Sequence, residues 1–113
     1  MPTLQFSRTA KADLLSIGAY TLQTWGVAQA ERYIAGLERC AKLLAGNHLL
    51  GRPCDRVRPG LYRFEKERHV LFYRRQDDGI LISRILHQSM LPEQQTFEDA
   101  PPDAETRQSP QGR

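Results

Sequence analysis

A chain of 113 residues with 40% hydrophobic and 26% charged side chains predicts one globular domain that buries a core without metal or disulfide support. No apolar run approaches the roughly 20 residues of a membrane-spanning helix, and the N-terminus lacks a signal-peptide pattern, so we expect a cytoplasmic protein with no membrane contact. The net charge of +3 combines a basic part, residues 1–92 at +6, with an acidic part, residues 93–113 at −3, and the basic part favours acidic partners.

The cysteines and histidines do not predict a metal site. Cys40 and Cys54 lack the short paired spacing of zinc ligands, and the three histidines are scattered at positions 48, 69 and 87. A disulfide is disfavoured in a reducing cytosol. We therefore expect no metal and no small-molecule cofactor.

The N-terminal third predicts a strand followed by a helix. Residues 3–7 alternate in polarity, as a short strand does. Ser7 or Thr9 is expected to cap the helix that follows, because a hydroxyl can accept from the exposed amides of the first turn. The apolar stripe of this helix is formed by Ala10, Leu14, Ile17, Thr21 and Trp25. Gly26 is the expected stop.

A second helix is expected with almost no linker. Its apolar stripe is formed by Ala30, Ile34, Leu37, Ala41 and Leu44, with charged residues opposite, and Gly46-Asn47 is its expected end. Two such helices joined by a short turn form an antiparallel hairpin. Residues 48–60, rich in Pro and Gly, are expected to be a loop.

Residues 58–87 predict a three-stranded antiparallel meander. Its strands are 58–64, 68–74 and 80–87, with turns near residues 65–67 and 77–79, where Asp-Gly is a strong hairpin signal. The predicted order is therefore β-α-α-β-β-β, an α+β fold in which the helical hairpin packs on a small antiparallel sheet.

Both faces of the middle strand carry apolar side chains. Val70 and Phe72 share one face, whereas Leu71 and Tyr73 share the other with His69. One face is expected to pack on the helices, and the second is expected to remain a partly apolar surface and a candidate for binding. Arginines among these strands need either solvent or an acidic partner. For Arg58 and Arg63, pairing within the chain to Asp55 or Glu65 is an equal alternative.

The acidic end has a different composition. Residues 93–113 are rich in Pro, Glu, Asp and Gln, so most of them are expected to be disordered and the domain is expected to span residues 1–92. Leu91 and Phe97 are the expected anchors.

Several segments, in this order and spacing, carry a family resemblance. The helical hairpin, then Gly51-Arg52-Pro53, Arg58–Arg63, Arg68–Arg74 and Arg84–Met90, resembles the ParE toxins of the RelE/ParE superfamily over roughly residues 3–92. The resemblance implies a toxin that inhibits DNA gyrase without enzymatic activity and is neutralised by a ParD-like antitoxin. It assigns antitoxin or target binding to Arg58, Arg63, Arg68, Arg74, Arg84, Leu71, Tyr73, His87 and Met90.

Contact with DNA is expected only through the antitoxin complex, since no helix clusters the polar and basic side chains of groove reading. The chain also departs from the family at Ser89 and Leu91, where many relatives carry an arginine and an acidic residue, and the departure puts the target in question.

Two alternatives stay open. A RelE-like ribosome-dependent mRNA endoribonuclease would use His87 as acid or base, Arg63 and Arg84 around the phosphate, and Tyr73 to orient the substrate. Against it, the lysine-rich stretch of such enzymes is absent, since the only lysines are Lys11, Lys42 and Lys66. A partner-binding module without toxicity is the second alternative, and expression without the partner would distinguish it from a toxin.

Overall fold

Two helices lie against one face of a five-stranded sheet. The computed structural model describes residues 2–98 of the chain. Its strands and helices, in chain order, are β1 (Thr3–Phe6), α1 (Arg8–Trp25), α2 (Val27–Gly46), β2 (Arg52–Pro53), β3 (Leu61–Lys66), β4 (His69–Gln76) and β5 (Gly79–His87). Single 3-10 turns occupy His48–Leu50 and Pro92–Gln94. The sheet order is β1-β5-β4-β3-β2, so the predicted α+β class with a helical hairpin on a sheet is confirmed.

The ends of the helices follow the predicted chemistry. The Ser7 hydroxyl caps α1 by accepting from Ala10 N–H at 3.0 Å, and it donates to the Ser83 carbonyl on β5 at 2.8 Å. Gly26 ends α1 with φ of 96°, a conformation that glycine adopts without a steric penalty. It is the whole link between α1 and α2, so the helices form the expected antiparallel hairpin.

The sheet is wider than the predicted meander. Strands β3, β4 and β5 pair antiparallel as expected. At one edge β1 runs parallel to β5, with Thr3 opposite Gly79 and Phe6 opposite Ile82. At the other edge Arg52 and Pro53 pair with β3, so the expectation that residues 48–60 are entirely loop is wrong there.

A β-bulge shifts, by one residue, which side chains of β5 face the helices. Phe72 on β4 is the partner of Arg84, whereas Tyr73 is the partner of Ile82, so Ser83 is an extra residue with no partner in the register. Before the bulge Ile82 faces the helices, and after it Ile85 does. Without the extra residue Arg84 would point at the helices. The bulge therefore directs this guanidinium away from the core.

The core between helices and sheet contains most of the two predicted stripes. Ala10 and Ile17 of α1, together with Leu37, Ala41 and Leu44 of α2, are buried against Leu71, Tyr73 and the isoleucines of β5. Trp25 does not complete the first stripe: its side chain is 61% exposed at the end of α1. Tyr62 and Phe64 pack on this core, as their shared strand face predicts.

The opposite face of the sheet is covered by the chain itself, so the prediction of an exposed apolar binding face is wrong. Leu61, Val70, Phe72 and Leu86 are at most 4% exposed. Cys54 and Val57 of the β2–β3 loop cover part of this outer face, and Phe97 covers the rest. This cover comes from residues outside the strands, and Phe97 in particular is distant in the sequence from Val70 and Phe72, so local periodicity cannot show it.

Residues Leu91–Glu98, which we call the C-terminal strap, hold this cover in place. The Phe97 ring meets the Phe72 ring edge-on, with 5.3 Å between centroids. The Ser83 hydroxyl donates to the Glu98 carbonyl at 2.7 Å, and Thr9 N–H donates to the Glu98 carboxylate at 3.2 Å. Phe97 thus acts as an anchor, as expected. The prediction of disorder falls mainly on residues 99–113, which lie outside the described residues.

Candidate protein-binding groove

A broad groove separates the helical hairpin from the ends of β4 and β5. It has a volume of about 1040 Å³. Both helices, the β3–β4 turn and the end of β5 contribute to its walls, through Asp13, Tyr20, Trp25, Arg32, Tyr33, Glu67, Arg68, His69, His87 and Met90, among others. The size and openness suit a segment of another polypeptide better than a small enclosed ligand.

Large apolar side chains lie exposed at the rim of this groove. Tyr20 is 66%, Trp25 is 61% and Met90 is 39% exposed. Aromatic residues and methionine are enriched in protein–protein interfaces, because they bury much area at a small entropic cost. No core requirement explains two exposed aromatic rings on one helix end. The rim therefore has the composition of a protein-binding surface.

Hydrogen-bonded aromatic side chains form the groove floor. The hydroxyl of Tyr33 lies 2.6 Å from His69 Nδ1. The rings of His69 and His87 meet edge-on, with 5.3 Å between centroids. Burial lowers the pKa of His69, and the neighbouring His87 lowers it further. Burial likewise raises the pKa of Tyr33. The neutral forms of His69 and Tyr33 are therefore favoured on the groove floor.

Only some of the charged side chains around the groove form an ion pair within residues 2–98. Asp13 is held by Arg84 through two hydrogen bonds of 2.8 and 3.0 Å. Within residues 2–98, neither Arg32 nor Arg68 has an ion pair, and Arg32 donates to the neutral amide of Gln29 on its own helix at 2.7 Å. Two cations thus face the groove without a carboxylate of the described chain. That arrangement favours an acidic partner.

Three of the nine predicted binding residues line this groove: Arg68, His87 and Met90. Their positions in the β3–β4 turn and just after β5 bring them to the same end of the sheet. Their roles in binding stay predictions. The remaining six lie elsewhere.

Four predicted arginines serve contacts within the chain. Arg58 donates to the carbonyl of Gln95 at 3.1 Å and lies over the Phe97 ring, so the predicted pairing with Asp55 is wrong. Arg63 pairs with Glu65 at 3.2 Å, as one of our two readings expected. Arg74 donates to the Pro59 carbonyl at 2.7 Å, and Arg84 holds Asp13.

Two predicted contact residues belong to the interior. Leu71 and Tyr73 are both 0% exposed. Tyr73 donates its hydroxyl proton to the His48 carbonyl at 2.7 Å, beneath the helices. Neither can contact a partner in this structure, so we remove both from the proposed contact surface.

The four residues of the nuclease hypothesis are not brought together. Tyr73 is buried on the helix side and His87 faces the groove. Arg63 on β3 and Arg84 on β5 both lie on the outer face, and each is paired with Phe72 of β4 between them. A set divided between two faces of a sheet cannot surround one phosphate.

Sequence reasoning missed Tyr20, Arg32, Tyr33 and His69 as parts of a site, and it placed Trp25 in or beside the core. For Tyr20 the sequence contained one usable signal: its aromatic ring lies outside the apolar stripe of α1, where a polar side chain is more common. The other positions became meaningful only once the hairpin was folded over the sheet. Within residues 2–98, no group of three or more His, Cys, Asp or Glu side chains is placed to hold a metal ion.

No helix in residues 2–98 has both the length and the apolarity needed to cross a bilayer.

Comparisons with known proteins converge on one family. The family model described as the ParE toxin of the type II toxin–antitoxin system parDE matches residues 4–92. Toxin ParE1 of Mycobacterium tuberculosis is 40% identical over 85 residues, which cover 74% of this chain and 87% of that protein. Toxin ParE1 of Caulobacter vibrioides is 40% identical over 90 residues, covering 80% and 93%.

A solved structure agrees with the fold. A chain from the chromosomal ParDE toxin–antitoxin system of P. aeruginosa superimposes with a TM-score of 0.67 at 24% identity, covering 77% of this chain and 96% of that one.

Proposed function

This chain belongs to the ParE toxin family of type II toxin–antitoxin systems, and we propose that a ParD-like antitoxin neutralises it by occupying the groove between the helical hairpin and the sheet. The observation that carries this proposal is the groove rim, where Tyr20 and Trp25 are more than half exposed. The similar solved chain comes from a ParDE system, which supports a ParD-like partner.

The groove favours a helical or extended segment with apolar anchors. A helix that lies in such a groove places anchors at i, i+3 or i+4, and i+7. Tyr20, Trp25 and Met90 offer apolar contacts for these anchors, whereas Arg32 and Arg68 offer charge to acidic residues beside them. A flexible segment that orders on binding typically buries 1,000–3,000 Å², enough to cover a groove of this size.

For the target, we propose DNA gyrase, inhibited through protein contact rather than by catalysis, and met in the cytoplasm. Family membership supports a non-enzymatic toxin. The separation of His87 from Arg63 and Arg84 argues against RNA cleavage, because the cations needed around a scissile phosphate are engaged by Glu65 and Asp13. Ser89 and Leu91 depart from the family pattern near the end of β5, so the target requires its own test.

The test is expression followed by purified assays. We expect the chain expressed alone to arrest growth and the antitoxin encoded beside it to restore growth. Purified protein should block gyrase supercoiling and leave ribosome-bound mRNA intact.

Cleavage of the mRNA, lost in a His87→Ala variant but kept in a His48→Ala control, would overturn the gyrase proposal in favour of a nuclease. Normal growth with abundant folded protein would instead favour a non-toxic binding module.

A further inference from the structure

The groove floor holds a pair of histidines on neighbouring strands. His69, the first residue of β4, is the direct register partner of His87, the last residue of β5. Directly opposed residues on two antiparallel strands have Cβ atoms about 4.5–5.5 Å apart. The pairing of β4 with β5 therefore places the two imidazoles side by side. The ring contact of 5.3 Å between centroids follows from this register.

One nitrogen of each ring is already held. His69 Nδ1 bonds to the Tyr33 hydroxyl at 2.6 Å. His87 Nδ1 lies 2.7 Å from the Ser89 hydroxyl and accepts from Ser89 N–H at 3.1 Å. These contacts orient both rings. In the described part of the chain neither Nε2 has a hydrogen-bond partner, although both side chains line the groove. The remaining hydrogen-bonding capacity of the pair is therefore available to an occupant.

Within residues 2–98, the two carboxylates that line the groove beside this pair already contact cations. Asp13 on α1 faces the floor, but it accepts from Arg84 and from the backbone N–H of Ile85. Glu67 in the β3–β4 turn lies 3.9 Å from Lys66. The other charged and titratable groups that line the groove are Tyr20 on α1, Arg32 and Tyr33 on α2, and Arg68 in the turn. A proton added to His69 is thus disfavoured by burial and by the neighbouring His87, and Asp13 offsets these effects only in part.

A carboxylate brought by an occupant would change this balance. An anion beside an imidazole favours the protonated form, because attraction within about 4–6 Å offsets desolvation. The second imidazole can then donate to the same carboxylate from its neutral Nε2–H. One carboxylate thereby satisfies both rings, while only one of them needs a positive charge.

We propose that the antitoxin segment in the groove places one Asp or Glu side chain against Nε2 of His69 and His87, and that the complex takes up about one proton as it forms. This inference rests on the proposed antitoxin complex and adds the chemistry of its central contact. It identifies the partner as a segment with a carboxylate among its apolar anchors. It also makes neutralisation of the toxin tighter at lower pH.

The direction follows from linkage. A group whose pKa is higher in the complex than in the unbound protein binds the partner more tightly as pH falls through the window between the two values. For His69 the lower end of that window lies below the usual 6.5, because burial and His87 lower its pKa in the unbound protein. One proton taken up corresponds to at most a tenfold gain in affinity per pH unit.

The test uses the full chain and the antitoxin encoded beside it. Calorimetric titration near pH 6.5, in two buffers of different ionisation heat, should show uptake of roughly one proton, and affinity should rise several-fold from about pH 8 to about pH 6. His69→Gln and His87→Gln should each reduce proton uptake and flatten this dependence. His48→Gln is the matched control, since His48 contacts Tyr62 outside the groove and should leave the dependence unchanged.

Each outcome is informative. Tight binding without proton uptake would overturn the carboxylate contact and leave the antitoxin proposal standing. Proton uptake that survives in both histidine variants would also overturn it. Absence of any binding heat at all temperatures would refute the antitoxin proposal itself, and this inference with it. NMR titration of the imidazole signals, with and without the antitoxin, checks directly that the pKa of one groove histidine rises in the complex.

Discussion

The carboxylate of Asp13 on α1 forms a bidentate ion pair with the guanidinium of Arg84 on β5. Arg84 Nε donates to Oδ2 at 2.8 Å, and Nη2 donates to Oδ1 at 3.0 Å. The same carboxylate accepts the backbone N–H of Ile85 at 2.9 Å. Only 13% of the Arg84 side chain and 15% of the Asp13 side chain are exposed. Asp13 therefore connects α1 to the edge of β5 beyond the end of β1 and forms part of one groove wall.

We expect Asp13→Ala to destabilise the fold by about 3 kcal/mol, because removing one partner of a buried pair leaves a charge without compensation. The loss also leaves Ile85 N–H without its acceptor. Urea denaturation measures the change in the free energy of unfolding. Glu65→Ala is the matched control: it breaks the more exposed pairs that Glu65 forms with Arg52 and Arg63, for which we expect about 0–1 kcal/mol. Equal effects of the two substitutions would contradict the structural role assigned to Asp13.

Removal of an exposed aromatic ring at the groove rim should affect binding and not folding. We expect Trp25→Ala to weaken antitoxin binding by roughly 2 kcal/mol, about thirtyfold in Kd, because aromatic anchors dominate interface energies. The Tm should change little, since the Trp25 side chain is 61% exposed. Titration calorimetry and a thermal melt measure the two quantities.

Leu15→Ala is the control for Trp25→Ala. Leu15 is 77% exposed on α1 and does not line the groove, so its truncation should leave the Kd unchanged. If Leu15→Ala weakens binding as much as Trp25→Ala, the antitoxin uses the outer side of α1 instead of the groove.

The C-terminal strap should contribute measurably to stability. Phe97→Ala removes the ring that covers Phe72 and carries Arg58 above it, and we expect a loss of about 2 kcal/mol, less than for a fully buried Phe because Phe97 is half-buried. Leu91→Ala, at a side chain that is 57% exposed, should cost less than about 0.5 kcal/mol. Thermal denaturation of both variants decides whether Phe97 anchors the strap in solution.

The buried hydroxyl of Tyr73 should make the folded protein less stable at alkaline pH. Burial raises its pKa from 10.0 to about 12 in the folded protein. Between these values the unfolded chain releases the phenolic proton while the folded chain retains it. The free energy of unfolding should therefore fall as pH rises, by up to ~1.4 kcal/mol per unit.

Absorbance of tyrosinate during a pH titration provides the measurement. The hydroxyl of Tyr73 should ionise late, close to unfolding, and this late step should vanish in Tyr73→Phe. Ionisation of all the tyrosines near 10.0 in folded protein would show that Tyr73 is accessible to solvent and would contradict its placement in the core.

The sequence was sufficient to predict the features that depend on neighbouring residues: the buried side of a helix, the helix ends and a tight turn. The spacing of Leu37, Ala41 and Leu44 predicted the buried side of α2, and Ser7 and Gly26 marked helix boundaries because capping depends on neighbouring residues. Asp77-Asp78-Gly79 located the second hairpin for the same reason. These features involve contacts within a few residues of one another.

The errors lie where contacts are distant in sequence. The outer face looked exposed because nothing near Val70 or Phe72 shows that Phe97 returns to cover them. The arginines looked available because Asp13 is 71 residues from Arg84. The groove itself is a product of how the hairpin meets the sheet, so Tyr20 and His69 had no common pattern in the sequence.

The parallel pairing of β1 with β5 joins residues 3–6 to residues 79–82. A nascent chain therefore cannot join β1 to the sheet until residues 79–82 have been synthesised, and before then α1 and α2 lack the part of the core that β5 supplies. Topologies dominated by such distant pairings fold slowly. Synthesis interrupted before these residues accordingly yields a product without the groove, so the binding surface forms only after β5 has been made.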